Sequence, residues 1–555
     1  MYIYRVNLRQ LSIMMKQRPL VRYRLNLLTC ILSLILLGCQ SRIEEDGQKV
    51  VFRYNEHKNI GSLDPAFAKD LADIQAVNQL FNGLVELDDS LQIKPCIAKN
   101  WEISKDGKTY IFTLRNDVYF HDNEVFKSRK VIASDFEYSF NRLLDPNLSA
   151  PGSWVFDQVS SFNAVDEHTF EIKLRRAFPP FLSILGMKYC SVVPHEAITY
   201  YGTDFRKNPV GTGPFMFKRW EENLKLVFVK NPNYFQKDSD GQSLPYIDAV
   251  AVTFIPDKLS EFLAFSQGKI DFLTGLDASF KDDLLTANGL LKDKYHNKVK
   301  MLKGPYLNTE YLAFYMDSEV PEVQSKLIRS AMNHGIDRVK MMAYLRNGIG
   351  KPAEGGMIPK GLPGYRISEQ VTYNPELARL LISQYKNESG QSPKLSITTT
   401  DNYLSFCEYI QRELSDVGLE ISISVTPAAT LKTAKANGKL DAFRASWVAD
   451  YPDAENYLSL FLSSNFAPRG PNYTHFNSKQ FDDWYHESQQ TTDFEARTLL
   501  YQKMDSIVME TAPVIPLFYD EVVRFTQSDV EGLGMNPANL LDLRTVKKIK
   551  MKSEK

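Results

Sequence analysis

Cysteine is scarce, with five in 555 residues (Cys30, Cys39, Cys96, Cys190 and Cys407) and no Cys-x-x-Cys among them. A disulfide scaffold is thereby excluded, and a single disulfide or buried free thiols remain. Long apolar runs are also lacking. The longest, 27–37, is far short of the ~20 residues a helix needs to cross a bilayer, so a polytopic membrane protein is excluded. The eight histidines, at 57, 121, 168, 195, 296, 334, 475 and 486, include no pair at helical ligand spacing, and lone histidines of this kind are structural. His-Glu-x-x-His, Gly-x-Ser-x-Gly and the phosphate-binding Gly-x-x-x-x-Gly-Lys-[Ser/Thr] are missing. Gly348-Ile349-Gly350-Lys351 has the wrong glycine spacing for a phosphate loop and is followed by Pro352. Asp450, Asp453 and Glu455 lack the central glycine and terminal glutamate of a calcium loop, and read as turn and cap residues. Excess charge is absent too: the formal charge is -1, with no basic nucleic-acid footprint. The chain therefore does not read as an enzyme, and no cofactor or metal is expected.

What is present is ordinary globular material, 43% hydrophobic, 24% charged and 12% aromatic, long enough for two to four lobes. The N-terminus stands apart. Residues 1–38 hold Arg5, Arg9, Lys16, Arg18, Arg22 and Arg24 and no acid, and the short apolar run follows them. A basic segment, an apolar segment and Gly38 before a cut make a secretory signal peptide, with Met14 or Met15 as alternative starts. Leu36-Leu37-Gly38-Cys39 resembles the bacterial lipobox, which implies cleavage after Gly38, lipidation of Cys39 and stable membrane anchoring through its acyl chains. Residues 39–48 then form a lipidated tether, and Gln40 is not the aspartate that retains some lipoproteins at an inner membrane.

Along the body, both periodicities interleave. Strands are expected at Val50–Tyr54, Tyr110–Leu114, Val118–His121, Phe215–Trp220, Leu224–Lys230 and Glu420–Val425. Helical stripes run over 72–84, Phe136–Leu144, Leu327–Leu345, Pro375–Tyr385 and Tyr403–Val417. This is α/β character without a short repeat or a low-complexity linker.

Several strings, in order, resemble the large solute-binding proteins of bacterial ABC importers, the oligopeptide- and dipeptide-binding family 5. They begin with Leu63-Asp64-Pro65 and Phe81-Asn82-Gly83-Leu84-Val85, then Ala98-Lys99-Asn100-Trp101 and Asp106-Gly107-Lys108-Thr109-Tyr110. Phe112-Thr113-Leu114-Arg115, Val118-Tyr119-Phe120-His121-Asp122 and Arg142-Leu143-Leu144-Asp145-Pro146 follow. Pro209-Val210-Gly211-Thr212-Gly213-Pro214-Phe215, Asn231-Pro232-Asn233-Tyr234 and Ile336-Asp337-Arg338 come next. Trp447-Val448-Ala449-Asp450-Tyr451-Pro452-Asp453 and Pro513-Val514-Ile515-Pro516-Leu517 close the series, which covers about 50–540.

The resemblance implies a periplasmic-binding-protein-like α/β fold (class II, cluster C) with two large lobes joined by a two-stranded hinge and a third, smaller lobe. Lobe I would comprise 49–82, 206–305 and 517–555; 83–205 would be the extra lobe, and 306–516 lobe II. Hinge closure would engulf a ligand. On its residues alone Asp450 is a turn residue; in register with the family's Trp-x-Ala-Asp string it pairs with a peptide's α-ammonium. Trp447 then presents an aromatic wall or packs in a core strand. Lys69, Asp70 and Leu71 would offer backbone groups that extend the peptide as an added strand. Lys69 stands where known peptide binders often carry an acid. Arg444 is either a partner for a ligand carboxylate or a solvated cation, and Trp154, in the loop Ser149–Trp154, closes over the far end. The implied protein is a monomeric, lipid-anchored receptor in the cell envelope, facing periplasm or exterior. It passes short peptides to an ABC permease and its ATPase. Alternatives on the same fold are an oligosaccharide or nickel-complex receptor, and a surface lipoprotein for interaction or signalling that is uncoupled from transport.

Overall fold

The computed structural model describes residues 49–549 apart from 276 and 278. The signal peptide and Cys39 with its tether up to residue 48 lie outside the described residues.

Three larger sheets organise the chain. In the first, Val51–Asn55 runs parallel to Ala249–Thr253, which continues antiparallel into Lys225–Lys230 and Phe215–Glu221. The second is an antiparallel set ordered Ala98–Ile103, Thr109–Leu114, Thr169–Leu174, Val159–Asp166. Its strand Thr109–Leu114 buries Tyr110, Phe112 and Leu114 and exposes Ile111, the period of two that seats one face on a core. Helix Ala133–Leu144 covers that face with Phe136 and Phe140, whose rings meet Phe170 at 5.9 and 5.5 Å.

The third sheet has seven strands and is built around two long ones, Val299–Phe314 and Val514–Gln527. They pair antiparallel along their length, with a register shift between Pro305 and Thr309. On one side of that shift Val299, Val523 and Phe525 belong to a core with Phe262, Phe265 and Phe280. On the other, Leu312, Phe314, Ile515 and Leu517 join a core with Ile328, Met332 and Ile410. One strand pair thus threads separate hydrophobic cores, and residues 305/306 and 516/517 both fall inside it. Beyond it the sheet continues through Ala442–Val448 into parallel strands Lys394–Thr399 and Glu420–Val425.

Three elements differ from the sequence reading. The stripe over 72–84 yields a helix only from Leu71 to Leu80, because the Leu80 carbonyl accepts from Gly213 N–H at 2.8 Å instead of from the next helical turn. Gly213 can come so close because a Cβ there would sit 2.4 Å from the Leu80 carbonyl carbon. Leu327–Leu345 is two helices, Lys326–Gly335 and Arg338–Arg346, broken where Ile336 turns extended. Asp337 caps the second by accepting from Lys340 N–H at 3.0 Å, and the buried Arg338 guanidinium holds the Asn333 and Pro516 carbonyls at 2.9 and 2.7 Å. Val118–His121 is no regular strand and keeps one bridge, Tyr119 with Lys130. Cys96, Cys190 and Cys407 are buried free thiols.

Candidate functional site

The loop 63–70 is fixed from outside. Asp64 accepts the Ala66 N–H and holds Arg142, at the end of helix Ala133–Leu144, through both carboxylate oxygens at 3.1 and 2.5 Å. Both groups are nearly buried, so the ion pair ties two distant strings together. The chain then makes a short turn, Pro65–Phe67, and enters helix Leu71–Leu80 with Asp70 at its N-cap. Lys69, Asp70 and Leu71 are exposed.

Opposite stands the segment leaving strand Ala442–Val448. Ala449 N–H bonds the Leu307 carbonyl at 2.9 Å. Asn456 Oδ1 accepts both Trp447 Nε1–H at 2.8 Å and Asp450 N–H at 3.2 Å, which sets the direction of the turn. Three carboxylates follow within six residues. Asp453 takes Tyr501 O–H at 2.8 Å and Glu455 N–H at 2.9 Å, with Arg497 at 3.7 Å. Glu455 is held by the hydroxyls of Tyr451 and Tyr485. Asp450 has no ion pair among the described residues and is exposed at the turn; what burial its carboxyl has pushes it above the usual range despite Asn456 beside it.

The two segments meet at a cavity of ≈ 340 Å³ lined by Lys69, Asp70, Leu71 and Asp450, together with Lys188, Tyr189 and Tyr306. Burial, reinforced by Asp450 and Asp70, pushes the Tyr189 phenol to about 12. Tyr306 is likewise raised to about 12, by burial and then Asp520. Both are protonated donors at neutral pH. Four of the seven residues singled out from the sequence therefore share one cavity.

The other three do not line it. Trp447 is half-buried and acts through Asn456. Trp154 packs its ring 6.3 Å from that of Tyr451, next to Asp450. Arg444 is neither solvated nor open to the cavity. Its guanidinium is paired with the buried Glu310 and lies 3.1 Å above the ring centre of Tyr403. Lys188, Tyr189, Tyr306 and Asn456 were not singled out. Only tertiary placement brings Lys188, Tyr189 and Tyr306 to the cavity, and no sequence pattern marks Asn456 as the acceptor that holds the Asp450 turn.

The sheets and the facing loops define an α/β periplasmic-binding-protein fold. Residues 92–468 match the bacterial extracellular solute-binding proteins, family 5 Middle, and the chain belongs to that family. It is 25% identical over 485 residues to the dipeptide-binding protein of Escherichia coli K12, covering 82% of this chain and 87% of that one. Heme-binding protein A of Haemophilus influenzae is 28% identical over 487 residues, covering 83% and 85%. Among solved structures, the ABC transporter-associated periplasmic binding protein DppA of Helicobacter pylori, in complex with the peptide STSA, superposes with a TM-score of 0.75. It is 26% identical and covers 90% of this chain and 99% of that one.

Proposed function

We propose that the protein is an extracytoplasmic receptor, anchored by a lipid on Cys39, that encloses a short peptide and delivers it to an ABC permease and its ATPase. The observation that carries this reading is Asp450, an exposed carboxylate on a cavity wall that has no ion-pair partner among the described residues. A carboxylate left without a partner on a cavity wall gains from a ligand that closes the cavity and brings the opposite charge and N–H donors, which a peptide's α-ammonium does. Lys69, Asp70 and Leu71 border the bound main chain, while Trp447 and Trp154 hold and cover the Asp450 turn. Closure follows from 306–516 moving against 49–82, 206–305 and 517–555 about the long strand pair, with 83–205 as the extra lobe. Binding shifts the population toward the closed form by its differential affinity. The likeness to proteins named for dipeptide and for a peptide complex supports the ligand class.

Native mass spectrometry of the purified chain tests it. The expected result is a heterogeneous load of short peptides, one per molecule, that Asp450→Ala largely loses. A single non-peptide mass, such as the heme in the name of one relative, or a peptide load unchanged by Asp450→Ala, overturns the reading.

A further inference from the structure

We propose that a second cavity, separate from the one at Asp450, takes a single-chain aliphatic carboxylate, with the carboxylate on Arg497 and Tyr110 and the chain against apolar walls. The inference stands on its own residues and does not depend on the peptide reading above.

The cavity, ≈ 320 Å³, lies where the turn 103–110 and the segment 177–182 meet the start of helix Phe494–Thr511, and it shares no lining residue with the cavity at Asp450. Ile103, Phe178, Pro179, Leu182 and Phe494 make its apolar walls. Ile103 and Phe494 are 46% and 52% exposed, so two large apolar side chains from separate elements stand open to water at one gap. Surface of that kind favours an apolar body laid against it. The volume lies near the bottom of the roughly 300–1,000 Å³ spanned by ligand pockets, which suits one acyl chain.

Two polar groups that line it are short of partners. The Arg497 side chain is 11% exposed and meets one acid, Asp453, at 3.7 Å, beyond hydrogen-bond length. Among the described residues its guanidinium donates no hydrogen bond, although it carries five N–H groups. Tyr110 is 3% exposed, and among the described residues its hydroxyl has no hydrogen-bond partner. The two are neighbours: burial pushes the phenol up to about 12, while the Arg497 charge pulls the other way. Buried donors left unmade are costly, and native chains seldom keep them. A carboxylate accepts from the guanidinium and the phenol together.

The charges set the sign of the ligand. Lys105 is a second cation on the wall, and no acid is among the described residues that line the cavity. The acids flanking it are engaged in their own turns. Asp106 accepts from Ser104 Oγ–H at 2.5 Å and from Lys108 N–H at 3.2 Å, and Asp493 caps the helix by accepting from Ala496 N–H at 2.8 Å. An alcohol or an amine of the same chain length leaves the guanidinium without a counter-charge.

Equilibrium dialysis of the purified full chain against radiolabelled decanoate, below its micellar concentration, tests the inference, with 1-decanol and decyltrimethylammonium as uncharged and cationic probes. One decanoate per chain is expected, held about tenfold or more tightly than either of the others, the worth of one charge-assisted hydrogen bond. Arg497→Met and Tyr110→Phe are each expected to erase most of that preference. Should Arg497→Met fold poorly for want of the Asp453 pair, Phe494→Glu sets a like charge against the ligand from an exposed position and is expected to abolish decanoate binding. Asp450→Asn, which alters the other cavity, is expected to leave it unchanged. No decanoate bound, equal affinity for decanoate and 1-decanol, or binding that survives both Tyr110→Phe and Phe494→Glu overturns the inference. So does binding lost in Asp450→Asn, which would place decanoate in the other cavity.

Discussion

Two groups of carboxylates sit within one short stretch, and they are treated oppositely. Asp453 and Glu455 are buried and saturated: three tyrosine hydroxyls, a backbone N–H and Arg497 surround them. Asp450, three residues earlier, is exposed at a cavity wall and has no ion pair among the described residues. A folded chain satisfies its buried polar groups wherever it can. A charge left without a protein counter-ion at a cavity is free to take one from a ligand. Arg444 is treated like Asp453 and Glu455: Glu310 closes it off.

The comparison breaks most sharply on stability. Asp453→Ala strips a buried acid from Arg497 and Tyr501 and is expected to cost about 3–5 kcal/mol, read as a fall in the denaturation midpoint. Asp450→Asn is expected to shift the midpoint only slightly while peptide is lost. Equal destabilisation by the two would mean that Asp450 is structural.

Glu310 comes next. Glu310→Gln leaves the Arg444 charge buried beside Tyr403 and is expected to cost about 3 kcal/mol. Adding Arg444→Met to it should restore most of that, because replacing a buried pair by apolar volume is often near neutral. A double variant as unstable as the single one would show that Arg444 is held by more than its charge.

These outcomes bear on how much the sequence disclosed. The α/β alternation and the ordered strings were visible because they are local, and so was Asp450, through its register in Trp-x-Ala-Asp. The partner of Arg444 was not, since Glu310 lies 134 residues away and nothing in either neighbourhood marks the other. The break at Ile336-Asp337 was missed for a different reason. The apolar stripe runs through it, and periodicity alone does not mark Asp337 as the cap of a second helix. Lys188 and Tyr189 belong to a turn whose place against the cavity depends on contacts such as Gly152, where a Cβ would stand 2.3 Å from the Tyr189 ring.

A third buried acid sharpens the distinction through pH. Asp505 accepts Met357 N–H at 2.9 Å, yet burial pushes its carboxyl up to about 7. Its pKa is higher folded than unfolded, so ionisation works against the fold. The penalty is absent below the ordinary carboxylate range, grows as pH rises, and is complete above about 7. Thermal melts from pH 5 to 8 should show the wild type losing ~2 kcal/mol relative to Asp505→Asn, and parallel curves would refute the assignment.

Asp450 shares the sign of that shift but should show a smaller effect, because it faces a cavity that water can enter. Without ligand, Asp450→Asn is expected to gain slightly on the wild type as pH rises through and above the carboxylate range, and by less than Asp505→Asn does. With a peptide pool present the order should reverse, since the α-ammonium favours the ionised carboxylate and the wild type alone is stabilised by binding. Asp505 and Asp453 have no such reversal available, being closed to ligand, so a crossover confined to Asp450 separates a charge kept for a partner from charges kept for the fold.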